Sequence, residues 1–107
     1  MKIKLIIIKK KLKTGKGFVK EYNEKGNLIF EGEYLKGKRN GKGKEYDNNS
    51  NLIFEGEYLN GKRWNGKGQE YNYYNNLEFE GEYLNGQRNG KGKEYDKDGK
   101  LRFEDEY

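Results

Sequence analysis

The sequence predicts an all-β fold, an antiparallel array of stacked β-hairpin repeats with a period of 24–25 residues. The first observation is self-similarity at a fixed spacing, which signals a repeat architecture. Leu28-Ile29-Phe30-Glu31-Gly32-Glu33-Tyr34-Leu35 recurs at 52–59 and, with one change, at 77–84, while Leu101-Arg102-Phe103-Glu104-Asp105-Glu106-Tyr107 is a fourth, altered copy. The second observation is another unit alternating with the first: Gly41-Lys42-Gly43-Lys44-Glu45-Tyr46, repeated at 66–71 and 90–95. The third is composition. Sixteen glycines, ten tyrosines, five phenylalanines and no proline in 107 residues favour strands and tight turns, because aromatics suit a pleated surface and glycine accepts positive φ.

Taken in order, residues 1–27 read as a lysine-rich leader and a degenerate first repeat, with Gly17-Phe18-Val19-Lys20-Glu21-Tyr22 standing in for the second unit. The repeats proper run over 28–51, 52–76 and 77–100, with a partial repeat at 101–107. Each holds two strands joined by a tight turn at Lys36-Gly37, Asn60-Gly61 or Asn85-Gly86. Polar segments such as Lys25-Gly26-Asn27 and Lys97-Asp98-Gly99 turn the chain into the next repeat. Trp64 is inserted into an otherwise matching loop and makes the second step 25 residues.

Strand alternation puts Leu28, Phe30, Gly32 and Tyr34 on one face and Glu31 and Glu33 on the other. The expected register sets Tyr34 opposite Gly41, Glu33 opposite Lys42, Gly32 opposite Gly43, Glu31 opposite Lys44, Phe30 opposite Glu45 and Ile29 opposite Tyr46. The same ladder predicts Glu82 with Lys91 and Glu80 with Lys93 in the third repeat, and Glu57 with Lys67 and Glu55 with Gln69 in the second. Such exposed pairs contribute only a few tenths of a kcal/mol each, so their expected effect is on register and solubility.

The spacing aromatic-x-Gly-Glu-aromatic-x-x-Gly-x-x-x-Gly-x-Gly, present in Phe30 to Gly43 and Phe79 to Gly92 and with one extra residue in Phe54 to Gly68, resembles the MORN repeat. The likeness extends to the variant found in bacterial antitoxin-like repeat proteins, where Lys-Glu-Tyr closes the second strand. The resemblance implies an elongated single-layer antiparallel sheet. Two departures matter: tyrosine at 34, 58 and 83 stands where the family often has tryptophan, and Asp105 replaces the repeat glycine, which predicts a last strand without the same aromatic groove.

Composition removes most enzyme chemistry. The chain has no cysteine and no histidine, and its only hydroxyls besides tyrosine are Thr14 and Ser50, neither with an evident base. Gly61 to Gly68 nearly matches a phosphate loop, but Gly68 stands where Ser or Thr is required and a strand follows where a helix is needed. Glu94 to Gly99 resembles half a calcium loop, but a calcium loop begins with Asp and carries Glu at position 12, places held here by Glu94 and Asp105. No catalytic residue, cofactor, metal or small-molecule substrate is expected.

Charge is unevenly placed. Residues 1–20 carry eight lysines and no acid, whereas 21–107 carry 15 basic and 18 acidic side chains, a net charge of −3. Nucleic acid is therefore not the expected partner of the repeats. The apolar run Leu5 to Ile8 is too short for a membrane span or a secretory signal, so cytoplasmic residence is expected. Two binding surfaces are expected. The aromatic stripe of Phe30, Tyr34, Phe54, Tyr58, Phe79 and Tyr83 would stand uncovered and mediate protein contact or self-association. Alternatively, Lys9, Lys10, Lys11, Lys13 and Lys16 would hold the chain peripherally on an anionic membrane.

Overall fold

The computed structural model describes residues 4–7 and 16–107, with 4–7 and Asp105 described in backbone only. Among the described residues nine strands follow in chain order: β1 (Lys4–Ile7), β2 (Lys16–Tyr22), β3 (Leu28–Leu35), β4 (Lys38–Tyr46), β5 (Leu52–Leu59), β6 (Lys62–Tyr71), β7 (Leu77–Leu84), β8 (Gln87–Tyr95) and β9 (Leu101–Glu106). Each strand hydrogen-bonds only to the one before and the one after, antiparallel throughout. The result is a single-layer ribbon of 46 × 31 × 15 Å, as the repeat pattern implies.

Two kinds of turn build it. Within hairpins, Lys36-Gly37, Asn60-Gly61 and Asn85-Gly86 all have positive φ, the arrangement whose twist matches the flanking strands. Between hairpins, residues 23–27, 47–51, 72–76 and 96–100 share one design. The side-chain oxygen of the first residue (Asn23, Asp47, Asn72 or Asp96) accepts from the N–H groups two and four residues on. The fourth residue (Gly26, Ser50, Asn75 or Gly99) takes the positive φ that closes the turn.

The expected register holds for half of each first and third hairpin and then breaks. Phe30 faces Glu45, Glu31 faces Lys44 and Gly32 faces Gly43, but a bulge then sets Tyr34 opposite Arg39, not Gly41. Glu33 does not face Lys42 as an ion pair; its carboxylate accepts from the Lys42 N–H at 2.7 Å and satisfies the bulge. In the third repeat Glu80 faces Lys93 as expected, but Glu82 faces Asn89. The second hairpin is displaced further: Glu55 faces Lys67, Gly56 faces Gly66 and Glu57 faces Asn65. The full ladder instead runs between repeats, where Gly41 faces Tyr58, Lys42 faces Glu57 and Gly43 faces Gly56.

The core is the aromatic row itself. Phe30, Phe54 and Phe79 are 0–1 % exposed, Tyr58 and Tyr83 are buried, and Tyr34 packs against them half-buried. The rings meet edge to face at 5.2–6.0 Å between centroids. The glycine pairs make room for them: a Cβ on Gly32 would lie 2.5 Å from Gly43 Cα and 2.9 Å from the Phe30 ring. On the last strand the row continues, with Tyr107 5.5 Å from Phe79, but Phe103 is 43 % exposed.

Candidate functional site

The two faces of the ribbon differ, and the first is closed. The expectation of an uncovered stripe at Phe30, Tyr34, Phe54, Tyr58, Phe79 and Tyr83 is corrected by what lies over it. Arg39, Arg63 and Arg88 place their guanidinium carbons 4.2, 4.8 and 4.1 Å from the ring centroids of Phe30, Phe54 and Phe79. Each arginine is held by a glutamate of the preceding repeat: Arg39 Nε lies 2.9 Å from Glu21, Arg63 Nη2 3.2 Å from Glu45 and Arg88 Nη2 2.9 Å from Glu70. The same carboxylates accept from tyrosine, Tyr34 to Glu21 at 2.6 Å, Tyr58 to Glu45 at 2.9 Å and Tyr83 to Glu70 at 2.6 Å. Tyr107 donates to Glu94 in the same way.

This Phe–Arg–Glu–Tyr unit supplies in a single layer what a second layer would otherwise provide. Guanidinium over a ring is attracted by its quadrupole, and planar carboxylate pairing fixes the lid in place. Among the described residues no buried side-chain polar atom lacks a partner. Burial and then Glu21 push the Tyr34 phenol up to about 12, and Tyr58 and Tyr83 are raised further by burial and by Glu45 and Glu70. Burial pulls the Glu70 carboxyl upward, but hydrogen bonds from Arg88 and Tyr83 outweigh it and leave the group below its ordinary value.

The repeated rings, paired glycines and single sheet together have a counterpart among known families. The MORN repeat family model matches residues 30–51, 54–71 and 79–101, more than half of the chain. The chain belongs to the MORN repeat family. No curated protein and no solved structure matches it. MORN repeats are generally protein- or membrane-interaction modules, on a repeat scaffold not known for enzymatic activity.

The second face of this MORN sheet is open. It carries Glu31, Glu55 and Glu80 on the odd strands and Lys44, Lys67 and Lys93 on the even ones, with ion pairs at Lys44–Glu55 (4.0 Å) and Lys93–Glu104 (3.8 Å). It also carries tyrosines. Tyr71 donates to Gln69 and Tyr95 to Glu80, both at 2.6 Å, which places their rings on the charged side. Tyr46 feels the charges of Glu31 and Glu55 from the same side.

A trough of about 480 Å³ crosses strands β5 to β8 on this face. One bank is Glu55, Lys67, Glu82 and Lys91, the other Ile53, Gln69, Glu80 and Lys93, and backbone at Gly68, Gly81 and Gly92 forms the floor. Trp64 explains why the trough sits here. In the first hairpin the ladder carried on from Phe30 and Glu45 brings Tyr46 over Ile29, which is buried. In the second, the displaced ladder sets Phe54 opposite Gly68, so Gln69 follows opposite Ile53 and Tyr71 falls two residues away. Ile53 is left half-buried and the space beside it opens.

Of the lysines assigned to an anionic surface, Lys9, Lys10, Lys11 and Lys13 lie outside the described residues; Lys16 begins β2 and is exposed. Sequence reasoning set Glu45 opposite Phe30 but gave no role to it, to Glu21 or Glu70, or to Arg39, Arg63 and Arg88, although each recurs at the repeat period. It also passed over Tyr71 and Tyr95. Their signal was parity, since each stands one residue from the glutamate that faces a phenylalanine and therefore points to the other side.

Proposed function

We propose that this chain is a non-enzymatic scaffold whose open face, with its trough and the tyrosines Tyr71 and Tyr95, engages a protein partner. The carrying observation is the asymmetry of the sheet. One face is sealed by its own arginines, which leaves the stripe of six rings little surface for a partner or a second copy. The other keeps the exposed Tyr71 and the half-buried Tyr95 near a shallow strip of mixed charge, the composition of many recognition surfaces. Photo-crosslinking from the full chain tests this reading. A crosslinker at Gln69 or Lys93 is expected to capture a discrete partner, and one at Lys36 or Asn60, on the hairpin tips, is not. Capture from the tips alone would overturn it.

A second reading, peripheral attachment to anionic lipid, rests on the eight lysines without an acid among residues 1–20. Each basic residue near such a surface contributes about 1 kcal/mol. Replacing Lys9, Lys10, Lys11 and Lys13 by glutamine keeps β2 intact. Co-sedimentation with phosphatidylserine vesicles is then expected to fall steeply relative to the unmodified chain. Equal sedimentation of both proteins would end this reading, and with it the placement of a cytoplasmic chain at a membrane surface.

A further inference from the structure

We propose that Asn89-Gly90 is a self-modifying site, where the chain converts its own asparagine to isoaspartate ahead of every other Asn-Gly pair, and that the conversion frees the end of β9. Asparagine followed by glycine is the pairing most open to this reaction, because glycine sets no side chain in the path of its own amide nitrogen. The chain has five such pairs, with asparagine at 40, 60, 65, 85 and 89. The fold guards four of them.

The reaction needs water but no enzyme and no oxidant or reductant. The Gly90 amide nitrogen attacks the Asn89 side-chain carbonyl carbon, a new N–C bond forms, and the bond from that carbon to Nδ2 breaks. Ammonia leaves, the Gly90 amide proton going with it, and a succinimide ring remains. Water then opens the ring. Addition at the former side-chain carbonyl gives aspartate; addition at the former main-chain carbonyl gives isoaspartate, whose backbone runs through the side-chain carbons. Two freedoms are required. The asparagine side chain must swing onto the next residue, and that residue's N–H must come out of any hydrogen bond.

Asn40 and Asn65 lack the first freedom. Their side-chain oxygens accept from the N–H groups of Asn60 at 3.2 Å and Asn85 at 2.9 Å, which ties each to the hairpin tip of the next repeat. Asn65 also donates to Glu57 at 3.2 Å, and both asparagines are half-buried. Asn60 and Asn85 lack the second freedom. They are exposed, but the Gly61 N–H donates to the Arg39 carbonyl at 2.8 Å and the Gly86 N–H to the Trp64 carbonyl at 2.9 Å. Asn89 has both. It is exposed, and among the described residues its side chain has no hydrogen-bond partner. The Gly90 N–H reaches the Tyr107 carbonyl only at 3.3 Å, the long limit for such a bond. Gly90 also lies in a bulge: pairing with β7 jumps there from Gly81–Gly92 to Glu82–Asn89, and Gly90 takes a φ of 66°.

Isoaspartate adds a backbone carbon just ahead of Gly90, whose carbonyl accepts from the Tyr107 N–H at 2.7 Å and whose N–H faces the Tyr107 carbonyl. The lengthened chain cannot keep both bonds in step, so Tyr107 should leave its place 5.5 Å from the Phe79 ring. The test holds the full chain in mildly alkaline buffer, folded and in urea, and follows each pair by peptide mass mapping. In the folded chain Asn89 is expected to convert about fivefold faster, or more, than the other four. In urea the guarding hydrogen bonds are gone, and the five rates should converge to within about threefold. Asn89→Gln, whose larger ring closes far more slowly, should remove most of the conversion seen in the folded chain. The NMR contact between the Tyr107 and Phe79 rings should disappear in the isoaspartate fraction. Equal rates in the folded chain, another pair converting first, or an Asn89 that converts only in urea would each overturn the site. A ring contact that survives conversion would overturn its effect on β9.

Discussion

Arg63 shows how a single residue does the covering of a missing layer. Its guanidinium spans Glu45, the Gln69 carbonyl at 2.7 Å and the Tyr83 hydroxyl at 3.3 Å while lying over the Phe54 ring. Removing it leaves the mostly buried Glu45 carboxylate with only Tyr58 at 2.9 Å and Arg39 at 3.7 Å, and uncovers a ring. Arg63→Ala is expected to cost about 2–3 kcal/mol, read from the urea midpoint. Arg63→Lys keeps the charge but not the fork, and should recover less than half of that. An unchanged midpoint in Arg63→Ala would remove the lid from the account of the core. The glycines make a sharper contrast. A Cβ on Gly81 would lie 2.8 Å from Gly92 Cα, the Lys91 carbonyl and the Phe79 ring, whereas one on Gly17 meets nothing within 4 Å. Gly81→Ala should cost about 2 kcal/mol or more, and Gly17→Ala should stay within about 0.5 kcal/mol of the parent.

At the scale of elements, the hairpin β5–β6 shows what one inserted residue does. Trp64 lengthens the loop, the glycine pair becomes Gly56–Gly66, and Gly68 moves beside the Phe54 ring, where a Cβ would lie 2.6 Å from it. Trp64 also supports the next hairpin: its carbonyl accepts from the Gly86 N–H at 2.9 Å, and its ring lies 3.2 Å from where a Gly86 Cβ would be. Deleting Trp64 should restore the register of the sister hairpins, with Gly56 opposite Gly68 and Tyr71 over Ile53, and close the trough. Cross-strand Hα contacts by NMR will tell the two registers apart; a Gly56–Gly66 contact surviving the deletion would show that the loop does not set the register. The period, the turns and the Gly32–Gly43 pairing were legible beforehand because each is local chemistry. The bulges were not, because they arise where Glu33 finds the Lys42 N–H across the hairpin, a contact that strand alternation alone does not contain.

For the whole molecule, the tyrosine–glutamate row ties stability to pH on the alkaline side. Tyr34 is raised to about 12, Tyr58 and Tyr83 are raised further, and tyrosines in the unfolded chain ionise near 10.0. The folded state thus holds protons that the unfolded state gives up, and stability falls as pH rises. It should be level below pH 10 and decline from there through about 12, followed by circular dichroism at fixed urea. Replacing Tyr58 by phenylalanine should flatten that decline. Glu70, held low, acts in the opposite sense, and its contribution is lost as pH falls below its ordinary range near 4.5. A decline beginning well below pH 9 would show that groups other than this row govern the transition.

The sequence by itself determined the repeat, its 24–25 residue period, the all-β class and the separation of aromatic from charged positions, because turns and strand parity depend on near neighbours along the chain. It also placed a glutamate opposite the first ring, but left unread the arginine that recurs with it. Only the tertiary structure decided which face is open. That depends on Glu21, Glu45 and Glu70 standing opposite phenylalanines and reaching an arginine 18 residues away, a contact made through space and across three adjacent strands. The aromatic side, exposed by expectation, is thereby closed, and the charged side, which the ladder made look merely solvated, is the one with a groove.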